Sequence, residues 1–171
     1  MATFQVQVTG LTGITMSSSG TNPTEAQLTE FLREGVSDVV NRVILLEPGR
    51  KQDFSKETAV TGGSGASVLS PSHVISAIRA DGTASQYRNA TQISPALKFL
   101  SQSEDSLYYK SKYNPSWYYK DGKVYILPDP AVSPNDGIVT HVTYDTGVAY
   151  SDAIPDNFPA DLVYLLALYA S

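Results

Sequence analysis

A chain of 171 residues with 42 % hydrophobic content is long enough to bury one core, and one domain is the expectation. It has no cysteine, which excludes disulfides and thiolate chemistry, and its 12 Lys and Arg residues are scattered within a formal charge of -5, which argues against sequence-specific nucleic-acid binding. No apolar run approaches the roughly 20 residues needed to span a bilayer, and the opening MATFQVQVTGLTG lacks the features of a signal peptide, so no membrane partner and synthesis in the cytoplasm are expected.

Charged residues are 17 % of the chain, against about 25 % in ordinary soluble domains. The surface must therefore be largely uncharged and polar. At the start, Phe4, Val6 and Val8 alternate with Gln5, Gln7 and Thr9, which predicts a short strand or arm, and a Ser-Gly linker follows. Residues 22–47 then read as an amphipathic helix, with Asn22 as N-cap, Pro23 at the first helical position and Glu25 placed to return a capping-box bond. Leu28, Phe31, Leu32, Val36 and Val39 are its candidate core residues, with Val40 and Val43 continuing the stripe. Gly35 inside that stripe points to close approach by another backbone or to a tolerated helical cost of about 1 kcal/mol.

Residues 54–155 have the texture of a β-rich module of antiparallel hairpins, punctuated by Asp81-Gly82, Asp121-Gly122 and Asp136-Gly137. Val74 to Ala80 is expected to return as Thr83 to Arg88, a short helix is expected over 95–100, and IVTHVTYDT reads as a further strand with Ile138, Thr140, Val142 and Tyr144 on one face. In YNPSWYYKDGKVYILPDP a two-residue Asp121-Gly122 turn would pair Trp117 with Ile126, Tyr118 with Tyr125, Tyr119 with Val124 and Lys120 with Lys123. That register gives Trp117, Tyr119, Val124 and Ile126 as core. Tyr118 and Tyr125 fall on the other face, as candidates for a subunit interface or, less favoured, a stacking platform for a ligand. The chain closes on a helix at 158–171 that is apolar on every side, whose Leu162, Leu165, Leu166 and Tyr169 are further interface candidates.

The chemistry-bearing residue types do not assemble into a catalytic pattern. His73 and His141 have no second ligand at metal spacing, and His141 reads as a hydrogen-bonded structural residue. TGGSGAS, residues 61–67, fits neither a phosphate loop nor a nucleophile elbow and reads as a flexible loop; LPDPAVSPNDG lacks the EF-hand pattern. Glu30, Glu34 and Asp38 read as a solvated helix face. No catalytic residue, cofactor or metal is expected, and the chain reads as no enzyme.

The expected architecture is thus α+β: an N-terminal amphipathic helix and a C-terminal apolar helix forming a small bundle, with the β-rich module inserted between them. Taken in order, PTEAQLTEFLREGVSDVVNRV, SLYYKSKYNPSWYYKDGKVYILPDP and IPDNFPADLVYLLALYAS resemble tailed-bacteriophage virion structural proteins, in which an "eLtefLkdGv" helix, a "P.YY..dGkv.vlP.P" hairpin and an "IP.fP..l..lvvLYA" helix recur. The layout is similar to head-to-tail adaptor proteins of the phage neck. The resemblance implies a structural protein of the virion, a homo-oligomeric ring, the portal and tail components as partners, and DNA passing through a channel without sequence-specific binding. It further implies that loops at 10–22 and 56–70 order on docking. In such proteins more helical chain follows the closing helix, whereas this sequence stops at Ser171, so contacts of such an extension are not carried over.

Overall fold

The structure is a computed structural model and describes residues 2–19, 23–61, 63–82, 86–130, 137–144 and 146–171. It is α+β, and its described residues form two compact units. A helical unit takes residues 1–54 and 144–171 from the two ends of the chain, and a β unit takes residues 55–143.

The helical unit begins with α1, Phe4–Thr12, where the alternating apolar pattern had predicted a strand. A helix wins because Phe4 and Val8, one turn apart, are the two buried apolar side chains, whereas Val6 stays exposed. Its ends are also satisfied. The Phe4 and Gln5 amides donate to the carbonyls of Asp152 (2.8 Å) and Tyr150 (3.0 Å), and Gly13, with φ 71°, donates back to the Thr9 carbonyl at 2.8 Å. Residues 144–155, expected in the β module, therefore pack with the helices.

Helix α2, Glu25–Leu46, starts two residues later than expected. Thr24 is its N-cap. The Gln27 amide donates to Thr24 Oγ1 (3.3 Å) while Gln27 Oε1 accepts from the Thr24 amide (2.8 Å), a reciprocal box that a Thr-x-x-Gln frame permits. Asn22 lies outside the described residues, and Glu25 instead accepts from Gln5 Nε2 at 3.0 Å. Leu28, Leu32, Gly35, Val36, Val39 and Val40 form the buried stripe. Phe31, expected in the core, is 47 % exposed: it sits at the stripe's edge and borders a cleft of about 120 Å³ with Val8, Ile14 and Leu28.

After a 3-10 turn at Pro48–Phe54, Arg50 reaches both Asp53 (2.8 Å) and Asp161 (3.0 Å), hydrogen bonds that raise its pKa further and tie this turn to the lead-in of the last helix. Phe54 is fully buried with its ring edge-on to Phe158 at 5.7 Å. Tyr144 donates to Asn41 Oδ1 at 2.6 Å, and burial raises its pKa against the pull of that bond. The negative charge of Glu25 raises the pKa of Tyr150.

Helix α4, Val163–Tyr169, packs on α2 at Gly35, where a Cβ would lie 2.9 Å from Tyr169 Cδ1 and 3.2 Å from its Cγ. These are the inner atoms of the ring, which cannot swing aside as a flexible tip would. Gly35→Ala is accordingly expected to lower unfolding free energy by about 1 kcal/mol, since overpacking of roughly 2 kcal/mol outweighs the gain of about 1 kcal/mol in helix propensity. A urea midpoint that rises in this variant would show that Tyr169 yields freely.

The β unit holds two four-stranded sheets. One has the order β1 (Ser55–Val60), β8 (Gly137–Val142), β3 (Val74–Ala80), β4 (Tyr87–Asn89), and every pairing in it is antiparallel. The other runs β2 (Ala66–Ser67), β7 (Lys123–Leu127), β6 (Ser116–Lys120), β5 (Thr91–Gln92), with the last pair parallel, a departure from an all-hairpin module. Val60, Ala77 and Val139 from the first sheet and Ala66, Trp117, Val124 and Ile126 from the second share one buried cluster. A 3-10 turn at Pro95–Leu97 leading into α3, Lys98–Gln102, is the expected short helix.

The Asp81-Gly82 dipeptide does not make a two-residue turn. Ala80 pairs with Tyr87 and the Asp81 amide donates to the Gln86 carbonyl, so the connection is longer; Thr83 lies outside the described residues. The 61–67 stretch, expected to be a flexible loop, ends in β2, paired to β7 through Ala66–Val124 and Ser67–Lys123. With β1 and β2 both strands, seven of the fifteen residues in the 56–70 loop expected to order on docking already stand in the sheets. Of the expected 10–22 loop, residues 10–12 belong to the end of α1 and Ser17 forms a bridge with Thr24, while residues 20–22 lie outside the described residues.

Candidate functional site

The aromatic hairpin forms in the expected register. Asp121 and Gly122 have φ of 52° and 74°, the left-handed pair of a type I′ turn, and Trp117–Ile126, Tyr118–Tyr125, Tyr119–Val124 and Lys120–Lys123 face each other. Trp117, Val124 and Ile126 are buried in the cluster, and Tyr119 lies at its margin with its hydroxyl donating to the carbonyls of Val68 (3.3 Å) and Leu69 (3.2 Å). The like charges of Lys120 and Lys123 are tolerated because both side chains stand in water, with Asp121 3.8 Å from Lys120.

The other face differs from expectation. Tyr118 is only 4 % exposed, its ring stacked on Tyr125 at 5.1 Å and 12°. Gly65 covers Tyr125 so closely that a Cβ there would come within 3.0 Å of the ring, and the Lys98 ammonium lies 5.8 Å from the Tyr118 centroid. Tyr118 is therefore covered by its own chain and Tyr125 is partly covered. Gly65, whose missing side chain lets backbone approach the Tyr125 ring, accounts for the cover of Tyr125, and stacking on Tyr125 covers one face of Tyr118. Neither a stacking platform nor a subunit contact is available at Tyr118.

The apolar last helix is likewise divided. Leu162 and Leu166, expected at a subunit interface, are buried within the helical unit, while Leu165 and Tyr169 remain exposed together with Tyr164 and Leu168. Between α2 and α4 this leaves an apolar groove of about 430 Å³ lined by Val43, Leu46, Leu165, Leu168 and Tyr169, with Asp38 and Arg42 at its rim paired to each other at 2.8 Å. Leu46 is 80 % exposed. Sequence periodicity had marked Leu165 and Tyr169 but not Leu46, because the stripe of α2 drifts to the outer side by its last turn.

A second exposed apolar group, not singled out by sequence pattern, stands on the β unit. Phe99 on α3 is 79 % exposed and Leu107 fully so, with Tyr108 and Tyr113 nearby in sequence. The loop is pinned: the Lys110 amide donates to the Ser101 carbonyl at 2.9 Å, and Ser101, itself buried, donates its hydroxyl to the Leu97 carbonyl at 2.8 Å. A run of apolar residues interrupted by charges, SEDSLYYKSK, has neither helical nor strand periodicity, so its exposure was not legible in advance.

Several titratable residues have local structural partners. His141 is buried between Thr58 Oγ1, 3.0 Å from Nε2, and the Val142 carbonyl, 3.1 Å from Nδ1, as expected of a structural histidine. Glu30 pairs with Arg33, and the buried Asp81 pairs with Arg88 at 3.2 Å. His73 ends a 3-10 turn at Pro71–His73. Arg79 donates to the carbonyls of Pro128 (2.8 Å) and Asp129 (3.3 Å), holding the start of the PDP loop, whose residues 131–136 lie outside the described residues. Among the described residues, no three His, Cys, Asp or Glu side chains stand together as a metal-binding group, and no helix is long and apolar enough to cross a membrane. The sequence matches no protein-family model and no curated protein.

Proposed function

We propose that this chain is a non-enzymatic virion structural protein of a tailed bacteriophage, a head-to-tail adaptor whose copies form a ring between portal and tail and continue the DNA channel. The observation that carries this reading is the uncovered groove between α2 and α4. A face with Leu46, Leu165, Leu168 and Tyr169 open to water on a unit this small calls for another protein surface, since scattered single leucines are ordinary but a contiguous apolar groove is not. The chain's order, helix, β unit, helix, agrees with the adaptor layout.

Charge supports the same reading. The helical unit carries ten Asp and Glu against four Lys and Arg, and the β unit seven against eight. An acidic bundle lining a channel would let a polyanion slide past, because like charges prevent it from sticking.

Electron micrographs of the purified chain, alone and with portal protein, test this. Closed rings with a central opening, in either sample, are the expected result. A chain that stays monomeric at all concentrations and neither binds portal nor assembles on it would overturn the reading.

A further inference from the structure

The geometry points to the contact that joins copies: the pinned loop at residues 98–113 of one copy seats its apolar side chains in the α2/α4 groove of a second copy, head to tail. This rests on the homo-oligomer reading and names the surfaces that build it.

Shape selects the occupant. The groove is concave, so two identical grooves brought together by a two-fold axis would leave a void, whereas Phe99 on α3 and Leu107 in the following loop are exposed side chains that a groove can receive. A groove that receives a different surface of the same chain makes a heterologous contact, which repeats from copy to copy and closes into a ring when the rotation permits.

Charge selects it too. The loop carries Lys98, Lys110 and Lys112 against Glu104 and Asp105, and five of the seven lysines of the chain fall between residues 98 and 123. The groove belongs to the acidic helical unit, where the exposed Glu34 and Glu47 lie on and just beyond α2, and its own rim charges, Asp38 and Arg42, already satisfy each other. A cationic ridge thus meets an acidic surround without burying an unpaired charge at the centre.

The areas match as well. Phe99, Leu107, Tyr108 and Tyr113 leave on the order of 500 Å² open, and the groove leucines with Tyr169 leave about 400 Å². Together these give roughly 900 Å², close to the ~1,000 Å² that a specific protein–protein contact should clear.

Two full-length variants test the assignment by complementation. One carries Phe99→Glu and Leu107→Glu in the loop; the other carries Leu165→Glu and Leu168→Glu in the groove. Sedimentation velocity over a concentration series should show the unsubstituted chain as oligomers and each variant as a monomer, with the apparent dissociation constant weakened at least about tenfold. An equimolar mixture should give dimers and nothing larger, because one intact ridge meets one intact groove. Far-UV circular dichroism verifies folding, and Leu46→Glu, on the most exposed groove residue, replaces the pair if the double groove variant unfolds. A loop variant that assembles like the unsubstituted chain would overturn this contact while leaving the homo-oligomer intact. Monomeric variants whose mixture forms no dimer would also overturn it. An unsubstituted chain that is monomeric throughout the series and also forms no ring with portal protein would overturn both this contact and the oligomer on which it rests.

Discussion

Trp117→Ala is expected to lower the unfolding free energy of the β unit by about 4 kcal/mol. Trp117 is 8 % exposed and packs with Val60, Ala66, Val68, Ala77, Val124, Ile126 and Val139, residues drawn from both sheets. Removing the indole takes away the transfer free energy of a large ring and leaves a cavity that strands held in hydrogen-bonded register cannot collapse to fill. Because Trp117 is the only tryptophan in the chain, its fluorescence reports unfolding of this unit in the unsubstituted protein. For the variant, the urea midpoint read by circular dichroism at the β signal serves instead. A loss below about 1 kcal/mol would mean that the two sheets do not share this core.

Leu166→Ala should cost the helical unit about 3 kcal/mol, and Leu168→Ala, two residues further along α4, less than about 0.5 kcal/mol in the dissociated chain. The sequence offers no reason to distinguish two leucines in LVYLLALYA. Leu166 is wholly buried, however, whereas Leu168 is 44 % exposed on the groove. Urea unfolding of both variants at low protein concentration measures the difference, and equal losses would mean that α4 is not divided into an inner and an outer face. Where copies associate, the cost of Leu168→Ala should grow with protein concentration, because a contact that exists only in the assembly stabilises by mass action.

The two Asp-Gly dipeptides show how far local chemistry reaches. At Asp121-Gly122 both residues adopt positive φ, the type I′ turn follows, and with it every pair of the hairpin. At Asp81-Gly82 only the glycine does so. The Asp81 side chain is buried against Arg88, and holding that carboxylate beside its cation takes precedence over the tight turn. Similarly, the alternation of Phe4, Val6 and Val8 fits a strand, but an edge with no partner strand offers nothing to its amides. The carbonyls of Tyr150 and Asp152, far along the chain, meet the first amides of a helix instead.

By itself the sequence determined the α+β class, the long amphipathic helix with its buried stripe from Leu28 to Val40, the hairpin register around Asp121-Gly122 and the structural role of His141. Each depends on periodicity or on turn and hydrogen-bonding chemistry that acts over a few residues. Only the tertiary structure decided which apolar faces remain open. Tyr118 disappears beneath its own chain, stacked on Tyr125 and beside Lys98, and Tyr125 is in turn approached by Gly65, far earlier in the sequence, while Leu46, Leu168, Phe99 and Leu107 stay in water. Burial depends on which distant surface arrives to cover a side chain, and no local pattern carries that information.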